Sequence, residues 1–112
     1  FFLKLYLFGE NKLNLLKSRG EVIAGYAATS KSTTILNYCK IGPALIKYIC
    51  DTTKNKIGKY SPGTHIPIKS MDYFYKNKPE VVYLFAWNHK NEIFKKEKKL
   101  KNKIKWISHV KI

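Results

Sequence analysis

Apolar residues in this chain form short continuous runs that alternate with stretches of helical spacing. Continuous apolar runs bounded by turn residues are typical of buried strands in a parallel sheet. Runs of this kind occupy residues 22–26, 45–50 and 81–86. A short extended piece is expected at residues 65–68, and the alternating apolar positions of residues 104–110 predict an edge strand.

Helical spacing and capping residues predict helices around these strands. A leading helix is expected to end at Ser18-Arg19-Gly20, and another to begin at Ser30 or Ser32 and to stop at Gly42-Pro43. A short helix capped by Ser70 precedes the last apolar run, and a lysine-rich helix follows it. This order predicts an α/β fold, a mostly parallel sheet flanked by helices.

The length of 112 residues suits one small domain with a single core. We expect residues 1–20 to form a leading helix and interdomain connector, and residues 21–112 to form the α/β domain. Because the chain starts at Phe1, we expect it to be part of a longer protein. Residues 1–8 are apolar except for Lys4 and are too short to span a bilayer, so an amphipathic helix is expected there. If the chain is a structural interdomain partner, the apolar face of this helix would dock onto another domain.

The net charge of +15, from 22 basic and 7 acidic residues, makes anionic partners worth considering. Nine lysines lie within residues 89–112, but Arg19 is the only arginine. Because specific reading of phosphates and bases tends to use arginine, we favour a solvated lysine surface over a nucleic-acid patch, which stays open as an alternative.

Cys39 and Cys50 are expected on apolar faces and form no zinc-ligand pattern. Buried thiols of this kind are typical of a reducing compartment, so a cytoplasmic location is predicted.

The sharpest local feature is the segment that joins the first apolar run to the following helix. Gly25 and Tyr26 lead into small residues including Ala27, and then into Ser30 and Lys31 at the helix start. Small side chains let the backbone approach a phosphate, and a helix N-terminus offers free N–H groups. Of the three glycines in the dinucleotide-binding fingerprint only Gly25 is present, so an ordinary strand-to-helix turn is equally consistent with the pattern.

Further candidate residues follow the other apolar runs. Ligands of parallel sheets bind beyond the carboxyl ends of the strands, where Asp51, Trp87 and Asn88 are expected. Asp51 is a candidate acceptor for a ribose hydroxyl or, alternatively, the cap of its own turn. Trp87 and Asn88 suit stacking on, and hydrogen bonding to, a base or sugar, although Trp87 is equally suited to finishing the core.

The loop Ser61-Pro-Gly-Thr-His-Ile-Pro-Ile68 contains two prolines and one glycine, which would hold it rigid. Pro62, Gly63, Thr64 and His65 are therefore candidate ligand contacts, or parts of a structural loop. A catalytic role for His65 has little support because no nucleophile or carboxylate partner is identifiable.

Three segments together resemble the C-terminal domain of the S-adenosylmethionine-dependent sugar C-methyltransferases. They are residues 25–39, residues 60–68 and Phe85-Ala-Trp-Asn88, and the resemblance extends over about residues 14–110. It implies a Rossmann-like domain that follows a zinc-binding domain and a central methyltransferase domain in a bacterial enzyme. The central domain would bind S-adenosylmethionine and supply the catalytic base, so this chain alone is expected to bind no cofactor and to be inactive.

The resemblance implies that the domain helps to bind a nucleotide-diphosphate sugar and orients it for the central domain. Gly25, Tyr26, Ala27, Ser30 and Lys31 would lie in the phosphate-facing turn. Flanking this turn would be Pro62, Gly63, Thr64, His65, Trp87 and Asn88. Asp51 joins the candidate substrate site because of its position after the second apolar run, independently of the resemblance.

Two departures weaken the prediction of a phosphate site, because Ala27 and Ser32 stand where this family commonly has glycine. The competing hypotheses are a small basic nucleic-acid-binding module and a structural interdomain partner that binds no ligand.

Overall fold

The computed structural model describes residues 13–108. Within this range the strands are β1 (Ile23–Tyr26), β2 (Tyr48–Asp51), β3 (Ile68–Ser70), β4 (Val81–Leu84) and β5 (Lys105–Ile107). Residues 13–18 are helical and are called α1. The later helices are α2 (Ser30–Tyr38), α3 (Met71–Lys76) and α4 (Lys90–Lys96), and a 3₁₀ turn (Trp87–His89) precedes α4.

The strands of the described range form one sheet in the order β3-β2-β1-β4-β5, and every neighbouring pair is parallel. In the centre, Gly25 of β1 stands opposite Ile49 of β2 and Tyr83 of β4. Parallel strands need crossover connections. Helix α2 connects β1 to β2, α3 connects β3 to β4 and α4 connects β4 to β5, whereas residues 52–67 connect β2 to β3 without a helix. The predicted α/β, Rossmann-like architecture is therefore confirmed.

The sheet has a separate apolar layer on each face. One layer joins Leu13 and Leu16 of α1 and Leu36 of α2 to alternate residues of the strands. The other joins Phe74 of α3 and Leu100, which follows α4, to the remaining strand residues. Because both faces are covered, β1, β2 and β4 are buried along their whole length, which explains their continuous apolar runs.

The second strand and the end of α2 differ from the prediction. Residues 43–45 form a turn in which Leu45 N–H donates to the Gly42 carbonyl, so β2 begins only at Tyr48. Leu45 is apolar because it packs against the core from that turn. Helix α2 ends at Tyr38, four residues before Gly42. It stops there because Lys40, two residues further on, adopts a left-handed conformation with φ 54°.

Helix α2 begins at Ser30, one of the two predicted starting residues, but its N-cap is Thr29 and not Ser30 or Ser32, the expected caps. The Thr29 hydroxyl accepts a hydrogen bond from Ser32 N–H at 3.2 Å. Ser70 does cap α3, since its hydroxyl accepts from Tyr73 N–H at 3.1 Å, and β5 is an edge strand as predicted.

Residues 65–68 are extended only in part, because His65 is left-handed (φ 58°) and β3 begins at Ile68. The expectations for residues 1–12 and 109–112, including the apolar docking face and the end of the edge strand, lie outside the described residues.

Cys39 and Cys50 are buried free thiols, in agreement with the prediction of their position. Burial raises the pKa of Cys39 to about 11 and that of Cys50 to about 12. Within residues 13–108, none of the helices is long and apolar enough to cross a bilayer.

Candidate functional site

The sheet has a topological switch point where the chain leaves the carboxyl ends of β1 and β4, and the region between these two connections is here called the switch-point crevice. After β1 the chain enters α2, which covers one face of the sheet, whereas after β4 it enters α4, which covers the other face. These two strands are neighbours, so their connections diverge from adjacent positions. Such a switch point is where open α/β sheets bind their ligands.

Three of the predicted site residues meet at this crevice. Lys31, in the first turn of α2, places its Nζ 3.1 Å from Oδ1 of Asn88. The same ammonium lies over the Trp87 ring, 4.2 Å from its centroid. Trp87 also packs against the core. Its ring therefore contacts both the core and the Lys31 ammonium. The three side chains form one cationic and aromatic group, here called the switch-point triad.

The N-terminus of α2 adds to the positive charge of this crevice. Its first turn contains no acidic residue, and the nearest carboxylate described there is Asp51, which accepts from Ala28 N–H before the helix begins. Ser30 is exposed at the same end and Lys31 is half-buried. The arrangement favours an anion beside Lys31.

Gly25 does not lie in the turn, contrary to the sequence prediction. It is a buried residue inside β1. A Cβ at this position would lie 2.6 Å from Cε2 of Phe85 and 3.1 Å from Cγ1 of Ile49. The glycine is therefore needed so that the Phe85 ring can pack directly on the strand backbone.

The tight turn itself begins at Ala27, which is left-handed with φ 74°. Its N–H donates to the Cys50 carbonyl at 2.9 Å, which ties the turn to the end of β2. Glycine adopts this conformation without a Cβ penalty, so the alanine adds local strain to a turn that the neighbouring strand holds in place.

Asp51 organises the same turn from β2. Its Oδ2 accepts from Ala28 N–H at 2.7 Å and its Oδ1 from Thr53 N–H at 2.8 Å. Burial acts most strongly on the Asp51 pKa and raises it, but the hydrogen bonds from Thr53 and Ala28 and the nearby Lys56 outweigh it and leave the pKa below its usual value. Asp51 is therefore ionised at neutral pH and caps its own turn while it fixes the neighbouring one.

A cavity of about 440 Å³ lies beside the N-terminus of α2, although none of the triad residues lines it. Thr29 and Ser30 line it together with Pro62, Lys56 and Tyr60. Lys56 reaches across to the Ala28 carbonyl at 2.7 Å, and 62% of Tyr60 is exposed. The sequence analysis did not single out Lys56 or Tyr60, although both lie in the polar loop that directly follows the Asp51 strand.

Tyr26 lies on the opposite face of the sheet from α2, contrary to its predicted place in the phosphate-facing turn. Side chains alternate along a strand, so the residue after Gly25 points to the α4 side. Its hydroxyl donates to Oε2 of Glu97 at 2.8 Å. Burial and this hydrogen bond raise the Tyr26 pKa far above its ordinary value.

The rigid loop is divided between two places. Pro62 lines the cavity beside Thr29, and its carbonyl accepts from Asn37 Nδ2 at 3.0 Å. Gly63 and Thr64 instead line a hollow at the C-terminal end of α2, and His65 is exposed. Pro62 therefore lies alongside α2, between the cavity at the N-terminus of the helix and Asn37 in its last turn, while Gly63 and Thr64 lie at its C-terminal end.

Comparison with known proteins identifies the family. Residues 10–110 match the family model described as the C-methyltransferase C-terminal domain. The chain belongs to this family. It is also similar to the C-methyltransferase NovU of Streptomyces niveus, with 39% identity over 79 residues, which cover 70% of this chain and 19% of NovU.

The match to NovU spans about one fifth of that protein. The resemblance of the sequence to a C-methyltransferase C-terminal domain is confirmed.

Proposed function

We propose that this chain is the domain of an S-adenosylmethionine-dependent C-methyltransferase that binds a nucleotide-diphosphate sugar and orients it. Family membership supports the methyltransferase parent. The observation that carries the binding role is the switch-point triad, because a lysine, an indole and a carboxamide converge at the edge where α/β sheets take their ligands.

Each triad residue has a chemistry suited to one part of a nucleotide-sugar. Lys31 is a compact positive charge beside a helix N-terminus, which suits a diphosphate. The Trp87 ring offers a flat apolar surface for a sugar or base. The Asn88 carboxamide can donate hydrogen bonds to, and accept them from, the hydroxyl or amide groups of that sugar or base. We assign the diphosphate to Lys31 and the adjoining rings of the ligand to Trp87 and Asn88.

Asp51 is assigned a positioning role in this proposal. Its two oxygens already accept the N–H groups of Ala28 and Thr53, and only 7% of the residue is exposed. Each carboxylate oxygen retains further lone-pair capacity, so a ribose hydroxyl is an additional donor that the site can accept. The main contribution of Asp51 is to fix the turn that leads into Ser30 and Lys31.

The methyl donor is assigned to a preceding region of the parent protein. The β1–α2 turn of this chain has a left-handed alanine where a close backbone approach to a ligand favours glycine, and Lys56 covers the Ala28 carbonyl. S-Adenosylmethionine supplies an electrophilic methyl group when it is bound. This chain holds the acceptor in place for that region and is inactive on its own. Holding a reactant in the correct orientation generally lowers a reaction barrier by several kcal/mol.

The test is calorimetric titration of the chain with a panel of nucleoside diphosphates and nucleotide-sugars at about 0.15 M salt, where exposed charges more than about 8 Å apart are screened. We expect saturable binding of one nucleotide class, with a smaller affinity in Lys31→Gln and Asn88→Ala. Lys47→Gln, which removes an exposed lysine just before β2, is the matched control and should bind as the parent chain does. No saturable binding to any panel member, or equal losses in all three variants, would overturn the proposal.

A further inference from the structure

A second basic cavity, of about 630 Å³, lies at the opposite end of the sheet from the switch-point triad. Lys78 lines it just before β4 begins, and Lys103 lines it just before β5 begins. The amino ends of parallel strands share one edge, so this cavity lies at the edge away from Lys31 and Asn88. Its basic side chains are Lys78, Lys96, Lys98, Lys99 and Lys103, and we call it the lysine cleft.

The positive charge of the lysine cleft is not neutralised within the described range. Glu97 is the one carboxylate that lines the cleft, and it is only 4% exposed. Its Oε1 accepts from the Tyr75 hydroxyl at 2.7 Å and its Oε2 from Tyr26 at 2.8 Å. Over residues 13–108, the ion pair within 4.0 Å joins His89 to Glu92, outside the cleft. Five lysines therefore line a cleft whose one carboxylate already accepts hydrogen bonds from two tyrosines.

The walls of the cleft strengthen the attraction for an anion. Leu100 is 7% exposed and contributes apolar surface, and Tyr75 presents its ring beside it. Apolar walls exclude water and focus the field of the surrounding charges, so lysines in a concave site attract an anion more strongly than lysines on a convex surface.

We propose that the lysine cleft binds a small polyphosphate anion. The volume of about 630 Å³ lies in the range of small-molecule sites. Lysine ammonium groups are point charges that neutralise phosphates without the planar fork that reads base edges. A concave group of lysines therefore fits a compact, multiply charged phosphate better than it fits sequence-specific nucleic acid. This site is separate from the proposed nucleotide-sugar crevice and does not depend on it.

The probe is inorganic tripolyphosphate, titrated calorimetrically into the chain at about 0.15 M salt so that diffuse surface attraction is screened. We expect a saturable isotherm. The triple variant Lys96→Gln/Lys99→Gln/Lys103→Gln removes three charges from the cleft and should weaken binding by about tenfold or more. All three lysines are exposed, and removing clustered like charges reduces self-repulsion, so the variant should remain folded.

The matched control is Lys40→Gln/Lys47→Gln/Lys54→Gln, which removes the same charge from exposed positions outside the cleft. Retained affinity in the control together with the loss in the cleft variant supports the proposal. Equal losses in both variants would show diffuse attraction and overturn it. A loss confined to Lys31→Gln would place the anion at the switch-point triad and overturn it as well.

Duplex DNA of about 20 base pairs distinguishes a small-anion site from a nucleic-acid surface. We expect DNA to bind weakly, with a steep loss of affinity as salt rises. Tight DNA binding that the cleft variant abolishes, without saturable tripolyphosphate binding, would overturn the proposal in favour of a nucleic-acid surface.

Discussion

The turn after β1 allows a quantitative prediction of the stability of one variant, because an alanine stands there in a backbone conformation that favours glycine. Ala27 has φ 74° and is held there by the hydrogen bond from its N–H to the Cys50 carbonyl. Ala27→Gly removes the Cβ that clashes in this conformation and leaves that backbone hydrogen bond intact.

The expected stabilisation follows from two opposing effects. A left-handed conformation costs a residue with a Cβ about 1–2 kcal/mol. The substitution by glycine offsets about 0.4–1 kcal/mol of this gain, because glycine increases the conformational entropy of the unfolded chain. The net gain in the free energy of unfolding lies between about 0 and 1.6 kcal/mol. Its midpoint of about 0.8 kcal/mol corresponds to a rise in Tm of about 3 °C for a domain of this size.

The assay is thermal and urea unfolding followed by circular dichroism. The matched control is Ala44→Gly, because Ala44 is exposed, lies in a turn and is not among the residues with positive φ. The control should lose about 0.4–1 kcal/mol. If Ala27→Gly lost stability as Ala44→Gly does, the left-handed conformation assigned to Ala27 would be refuted.

Three further predictions concern Gly25, Asp51 and the two buried thiols. Gly25→Ala places a Cβ 2.6 Å from Cε2 of Phe85 and should lower the free energy of unfolding by about 1–3 kcal/mol; urea unfolding at parent stability would contradict this packing. The Asp51 pKa is lower in the folded state, so its contribution to stability is present above the unfolded pKa of about 3.9 and is lost as pH falls below it. Unfolding at a series of pH values should therefore show a steeper acid loss for the parent than for Asp51→Asn, and parallel curves would argue against it. Because burial raises the pKa of Cys39 to about 11 and that of Cys50 to about 12, both thiols should react with a thiol reagent at pH 8 only after unfolding, and rapid reaction of the folded chain would disprove their burial.

The fold was predictable because the central strands are buried on both faces. Residues 81–84 have no polar position that would leave their assignment open, and the structure buries all four. Leu45 misled the prediction of the second strand, since a turn residue that packs on the core is as apolar as a strand residue. A pattern of polarity reports burial, and it reports backbone conformation only indirectly.

Only those residues of the candidate site that directly follow a predicted strand or a strand-to-helix turn could be predicted from the sequence. Trp87 and Asn88 follow an unmistakable strand, and Lys31 follows a strand-to-helix turn, so their meeting follows from parallel topology. Gly25 is required because the Phe85 ring packs against it, and Phe85 is distant from Gly25 in the sequence. The contact of Lys56 with the Ala28 carbonyl is likewise long-range, and a local pattern does not encode it.

The most direct test of the central claim is to locate the bound nucleotide-sugar on the chain. Amide ¹H–¹⁵N spectra would be recorded during titration with the tightest-binding member of the nucleotide-sugar panel, at about 0.15 M salt. We predict that the largest shifts fall in residues 27–31 and 86–89, on the two sides of the switch-point crevice. Shifts confined to the lysine cleft, or spread evenly over exposed lysines, would contradict the assignment of the nucleotide-sugar to the switch point.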